Sequence, residues 1–180
     1  MDLNELLTKG YPIHAAMALV GNHFKLNKRQ RAAVQRAVAP KQEIDLIKSN
    51  LLSGTELHGK TILIDGFNLL ILLESAFSGA YVFKCADGTY RDLSGVHGSY
   101  KRVNRTNEVL TLIGNKLKDS GAREVLWLLD APISNSGRLK SLISYISDKN
   151  QFDWNVELNK NPDTEIIERF KKNKLCVTIS

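Results

Sequence analysis

Three aspartates stand where strands are expected to end. Thr61-Ile-Leu-Ile64 is aliphatic and β-branched without a charge, and Asp65 follows it. Val125-Leu-Trp-Leu-Leu129 is a second such run, and Asp130 follows that. Asn155 to Leu158 reads as a short third strand, with Asp163 close behind it in Asn161-Pro162-Asp163. In a parallel α/β sheet the turns after the strands share one edge, and ligands bind there. Three carboxylates converging at one edge repel one another unless a cation joins them. Hard oxygen ligands of this kind suit Mg²⁺ or Mn²⁺. Such a site can activate water and clamp a phosphodiester. Each acid also has a plainer use. Asp65 and Asn68 suit a turn or a helix cap, Asp130 can open the Ala131-Pro132 turn, and Asp163 suits the first turn of a helix. It is the joint placement that points to chemistry.

The elements that must position these acids are legible as periodicity. Gly66 permits a tight turn after the first strand. A helix beginning near Asn68 then buries Leu69, Leu70, Leu72 and Leu73 nearly all round. Asn107 to Lys118 is amphipathic, with Val109, Leu110, Ile113 and Leu117 inward, and Gly121 stops it. Ser134-Asn-Ser-Gly137 leads into a helix carrying Leu139, Leu142, Ile143 and Ile146. Asn161 caps and Pro162 opens a further helix. Leu175 to Ile179 reads as a fourth strand. Strands alternating with helices imply an α/β fold, a parallel sheet flanked by helices with right-handed crossovers.

The 180 residues are enough for one such domain and a small appendage, and 43% are hydrophobic. The net charge is +6 and uneven. Between Leu6 and Gln42 there is no acid, against Lys9, Lys25, Lys28, Arg29, Arg31, Arg36 and Lys41. That asymmetry suits a polyanionic partner, most simply nucleic acid, although a solvated basic face gives the same pattern. This part reads as a small helical module. One helix opens at Pro12 and ends at Gly21-Asn22. A second, basic helix starts at Asn27 with Gln30 in capping-box position, and Pro40 stops it. Residues 43 to 59 form a connector with one more helix. The expected organisation is therefore a basic helical module with its connector over 1–58 and an α/β domain over 59–180.

Ala80 to Arg105 looks like an insertion. Tyr81, Phe83 and Cys85 alternate with smaller or polar residues, and Asp87-Gly88 is a hairpin signal. Gly95-Val-His-Gly98 follows, beside Lys101, Arg102 and Arg105. A glycine-flanked loop among bases can hold phosphate. His97 is its titratable residue, although a lone histidine is more often structural. Cys85 and Cys176 have no metal-ligand neighbour at CxxC spacing. The opening Asp2-Leu-Asn-Glu5 is not that of a signal peptide, and no apolar run approaches a membrane span. A soluble cytoplasmic protein with no membrane association is expected.

Ile64-Asp-Gly-Phe-Asn68, Leu129-Asp-Ala131, Asp163-Thr-Glu-Ile-Ile-Glu168 and Val177-Thr-Ile-Ser180 resemble, in order, the motifs of NYN-type PIN-like ribonucleases. The resemblance runs from about residue 60 onward. The whole chain is also similar to an uncharacterised, mainly archaeal family in which a basic helical module precedes a PIN-like domain. The resemblance implies a Rossmann-like (PIN-like) sheet and cleavage of RNA with Mg²⁺ or Mn²⁺. It implies Asp65, Asp130 and Asp163 as metal ligands and catalytic groups, with Asn68 as a polar partner. In that family a further Asp typically follows the last strand, about where this chain passes Ser180. The chain ends before it, so the domain is expected to be truncated.

Asp92, His97 and Ser134 join Asn68 as supporting polar candidates. The nucleic-acid-binding candidates are Lys25, Lys28, Arg29, Arg31, Arg36, Arg91, Lys101, Arg102 and Arg105. The competing expectation is a non-catalytic RNA-binding protein with a degenerate or incomplete acid set. A haloacid-dehalogenase-type phosphatase also places an Asp after its first strand, but it expects an acid two residues on, where Phe67 stands.

Overall fold

The computed structural model describes residues 2–93, 105–172 and the backbone of 176–179. His97, Lys101, Arg102 and the glycine-flanked loop expected to hold phosphate lie outside the described residues. Along the chain run α1 (Leu3–Thr8), α2 (Ile13–His23), α3 (Lys28–Ala37), α4 (Lys41–Asn50), β1 (Thr61–Asp65), α5 (Gly66–Phe77), β2 (Val82–Lys84), β3 (Tyr90–Asp92), α6 (Thr106–Asp119), β4 (Glu124–Asp130), α7 (Ser136–Asn150), β5 (Trp154–Asn159), α8 (Pro162–Lys172) and β6 (Cys176–Ile179). They form two compact units. One comprises Met1–Leu51 with Gly79–Leu93, the other Leu52–Ser78 with Ser94–Ser180.

The first unit is built on apolar contacts between short helices. Leu3, Leu6 and Leu7 of α1 bury against Ala16, Met17 and Val20 of α2, with Ile13, Val34 and Val38 packed beside them. Asn27 and Gln30 form the expected capping box, through bonds of 3.0 and 2.9 Å. Helix α2 does not stop at Gly21-Asn22, as a glycine there suggests, but continues to His23. Gly21 is needed for a close approach instead, because a Cβ at that position would collide with the guanidinium of Arg31. Arg31 crosses there to donate from Nε to the Leu26 carbonyl and from Nη2 to Asn22 Oδ1, each at 2.8 Å.

The Asp87-Gly88 hairpin forms as its sequence predicts. Gly88 takes φ +91°, and the antiparallel ladder pairs Val82 with Asp92, Phe83 with Arg91 and Lys84 with Tyr90. The hairpin is fastened to α3. The N–H of Ala86 donates to the Ala37 carbonyl at 2.9 Å, and Arg36 donates to the Asp92 carbonyl at 2.6 Å.

The second unit is a mixed α/β layer structure. Its four strands are all parallel, in the order β5-β4-β1-β6. Side chains alternate across a strand, and both faces of this sheet are apolar at its centre. Ile62 and Ile64 of β1, with Val125, Trp127 and Leu129 of β4, pack against Leu70 of α5, Leu110 of α6 and Ile143 of α7. Leu63, Leu126 and Leu128 point the other way, onto Ile166 of α8. The continuous apolar runs in the sequence are thus explained by helices on both faces. Among the described residues no helix is long and apolar enough to cross a membrane.

Candidate active site

The alternation that sorts the core also aims the acids. Asp65 lies two residues beyond Leu63, and Asp130 two beyond Leu128, so both carboxylates fall on the face of the sheet that meets α8. In register Asp65 pairs with Leu128 and Asp130 with Asn159, which places both acids and Asn159 at the carboxyl edge. The strand order, not the strand direction, reverses beside β1: β4 and β5 are added on one side of it and β6 on the other. A crevice outside the strand ends at such a reversal is where open α/β sheets bind ligands.

Helix α8 begins over this edge. Asn159 Oδ1 accepts from the Asn161 N–H at 2.8 Å, Asn161 Oδ1 accepts from the Thr164 N–H at 3.4 Å, and Pro162 opens the helix. Asp163 is therefore in its first turn. Nearly two turns further on, Arg169 ties α8 to the neighbouring strand. Its Nη2 meets Glu157 Oε2 at 2.7 Å and its Nε meets Glu165 Oε1 at 2.5 Å. Glu165, paired chiefly with Arg169, is held below the usual carboxylate range.

The electrostatics join the three acids. Asp65 is 4% exposed. Burial pushes its carboxyl up to about 6, the Asn68 N–H works against that, and Asp163 and Asp130 add like charge and, from Asp163, a shared hydrogen bond. Asp130 is also raised, first by its own burial and then by Asp163. The sequence thus brings Asp65, Asp130 and Asp163 together. They grade from buried Asp65 through half-buried Asp130 to exposed Asp163.

Among the described residues no three His, Cys, Asp or Glu groups are already disposed around a common metal position. The donor chemistry nevertheless fits a hard cation. Mg²⁺ usually takes only one or two carboxylates and keeps several waters, and mutual repulsion is the expected state of such carboxylates without one.

Asn68 joins the site. Its N–H donates to Asp65 Oδ1 and its side-chain amide to Oδ2. Asp65 is also the N-cap of α5, which starts at Gly66 rather than at Asn68. Gly66 does not supply a left-handed turn. Its role is a close approach, since a Cβ there would sit 2.5 Å from Leu129 Cδ2 and 3.3 Å from the Leu128 carbonyl oxygen.

Ser134 lies exposed in the turn after β4. Asp92 belongs to the first unit, where Arg36 Nη1 lies 3.9 Å from its carboxylate. Of the basic candidates, Lys25, Lys28, Arg29 and Arg91 are exposed, Arg105 lies 3.9 Å from Glu108, and Arg31 and Arg36 are engaged as described. Three features went unread in the sequence: Asn159 at the end of β5, the Arg169 clamp, and buried Glu74, which accepts from the Thr106 hydroxyl. A single glutamate at the end of an aliphatic helical run was the available signal for the last.

Fold and site together define a parallel α/β domain with an acidic cluster at the carboxyl edge of its sheet. The chain belongs to the family described as "Domain of unknown function (DUF5616)", which matches residues 54–178. Residues 1–50 match "Protein of unknown function (DUF434)". An uncharacterized protein of Methanocaldococcus jannaschii is 35% identical over 179 residues, covering 99% of this chain and 83% of the relative. No solved structure matches.

Proposed function

We propose that this chain is a divalent-metal-dependent endoribonuclease of the Rossmann-like, PIN-like kind, acting on RNA in the cytoplasm. The observation that carries the reading is the placement of Asp65 and Asp130 at the ends of adjacent parallel strands, on the face covered by α8, with Asp163 in the first turn of that helix. Asp65, Asp130 and Asp163 would hold Mg²⁺ or Mn²⁺. The bound cation supplies Lewis acidity and a nucleophile at neutral pH. Asn68 fixes the carboxylate plane of Asp65 through its two donors. The Arg169 clamp holds α8, and so Asp163, over the sheet edge. Dry walls of Leu63 and Leu128 exclude water from the inner side of Asp65. Exposed Lys28, Arg29 and Lys25 supply cations for the phosphate backbone.

One observation favours a second reading, a non-catalytic RNA-binding protein: both oxygens of Asp65 are already bonded by Asn68 as a helix cap. Titration calorimetry with Mn²⁺ separates the two. The nuclease reading expects binding that Asp65→Asn weakens by at least about tenfold, the lower end of what loss of even an outer-shell partner costs. Equal Mn²⁺ affinity in the two proteins overturns it.

A further inference from the structure

The hairpin of the first unit presents a surface that the acid cluster does not use. Tyr81 is 72% exposed and Tyr90 54%. Tyr81 stacks on Phe83, with ring centroids 6.4 Å apart and planes inclined by 27°. Across the ladder Phe83 stands opposite Arg91, and Lys84 opposite Tyr90. Each pair sets a ring beside an exposed cation, but on opposite faces, since side chains alternate along a strand: Phe83 and Arg91 share a face with Tyr81, and Lys84 and Tyr90 share the other. The acids of the hairpin are turned away from solvent. Asp87 is buried and accepts from the Thr89 N–H and hydroxyl, and Asp92 is buried beside Arg36. The exposed surface is therefore aromatic and cationic, with its negative charge withdrawn.

That combination discriminates between partners. The centre of a protein-docking patch is depleted in charge, whereas here the cations adjoin the rings. A double helix keeps its base faces stacked inside and offers phosphate alone. An unpaired strand offers both a π-face and a phosphate at each nucleotide, which is what rings interleaved with cations take up.

We propose that the Tyr81–Phe83 stack, with Arg91 beside it on the same face, is a platform for unpaired RNA, on which bases stack while the guanidinium meets a phosphate. The platform rests on the RNA-binding part of the function above and not on its metal. It is independent of whether the acids cleave.

The test uses the whole chain in EDTA, with fluorescence anisotropy on a short labelled oligouridine and on an RNA duplex of equal length. The wild type is expected to prefer the single strand. Tyr81→Ile keeps β-propensity and loses the flat ring. It should weaken oligouridine binding at least about fivefold, the lower end for one base–ring stack, with the salt slope and the duplex affinity unchanged. Tyr81→Phe should bind as the wild type does. Arg91→Gln should lower the salt slope by about one. Melting curves check that each variant is folded, and Tyr81→Leu replaces Tyr81→Ile if that protein is not. Oligouridine affinity untouched by the ring loss in a wild type that binds overturns the platform alone, as does a shift in oligomeric state with RNA affinity intact. A wild type that binds neither RNA overturns the RNA-binding function along with it.

Discussion

Asn68 holds Asp65 twice, through its N–H to Oδ1 at 3.2 Å and through its side-chain amide to Oδ2 at 2.8 Å. The same carboxylate caps α5 and heads the acid cluster, so the capping role and the candidate chemistry reside in one side chain. A cap works equally well with Asn, but a site that holds a cation does not. This difference makes Asp65→Asn an informative substitution.

The first consequence concerns stability. The Asp65 carboxyl is held at about 6 against an ordinary 3.8. The folded chain therefore keeps a proton that the unfolded chain gives up between those values. Stability from this group is fully present below 3.8 and is lost as the pH rises through about 6. A shift of this size corresponds to about 3 kcal/mol as an upper bound. Asp65→Asn removes that cost and keeps the cap once the exposed Asn68 amide turns to present its oxygen. Denaturant unfolding should show the variant more stable than wild type at pH 7 to 8, with the gap closing towards pH 4. A variant less stable than wild type at pH 8 would contradict the burial of a repelled charge.

How much of this was legible follows from which signals are local. The runs Thr61–Ile64 and Val125–Leu129 announce their strands because both faces of the sheet are covered and no polar residue interrupts them. Asn161-Pro162 announces α8 because capping and a fixed φ act within one turn. What failed to read was long-range. Gly21 looks like a stop, yet it is a place where Arg31 crosses. Arg31 and Arg36 read as free cations, but their partners lie across a turn or on the hairpin 56 residues away. The hairpin read as an insertion in the α/β domain, yet its bonds to α3, one from the Ala86 N–H and one from the Arg36 side chain, are made by residues far apart in sequence. The common edge of Asp65 and Asp130 was legible because each ends a strand; Asp163 reaches it from the first turn of α8.

Gly66→Ala should destabilise the second unit. The added Cβ meets the side chain of Leu129 and the backbone oxygen of Leu128 at the point where α5 leaves β1. A cost of about 1–3 kcal/mol is expected for such overpacking, read as a lowered midpoint of unfolding at unchanged slope. A neutral result would show that α5 can move away from β4.

The basic residues of α3 separate into two kinds. Lys28 and Arg29 are exposed, whereas Arg31 bonds the Leu26 carbonyl and Asn22. Lys28→Gln with Arg29→Gln should leave the unfolding free energy within about 0.5 kcal/mol of wild type, as surface changes do. It should also flatten the salt dependence of RNA binding by roughly one unit of slope per lost phosphate contact. Arg31→Gln should instead lower stability by about 1–3 kcal/mol, because the part-buried Leu26 carbonyl loses its charged donor. An unchanged salt slope in the double variant would remove α3 from the RNA interface.

The most direct measurement is RNA cleavage by this chain, and by a version extended past Ser180, with and without Mn²⁺, each compared with its Asp65→Asn counterpart. The account predicts Mn²⁺-dependent cleavage that Asp65→Asn reduces by at least about a hundredfold, while the variant stays folded and still binds RNA in EDTA. Full cleavage by a folded Asp65→Asn protein, or cleavage indifferent to Mn²⁺, would contradict it.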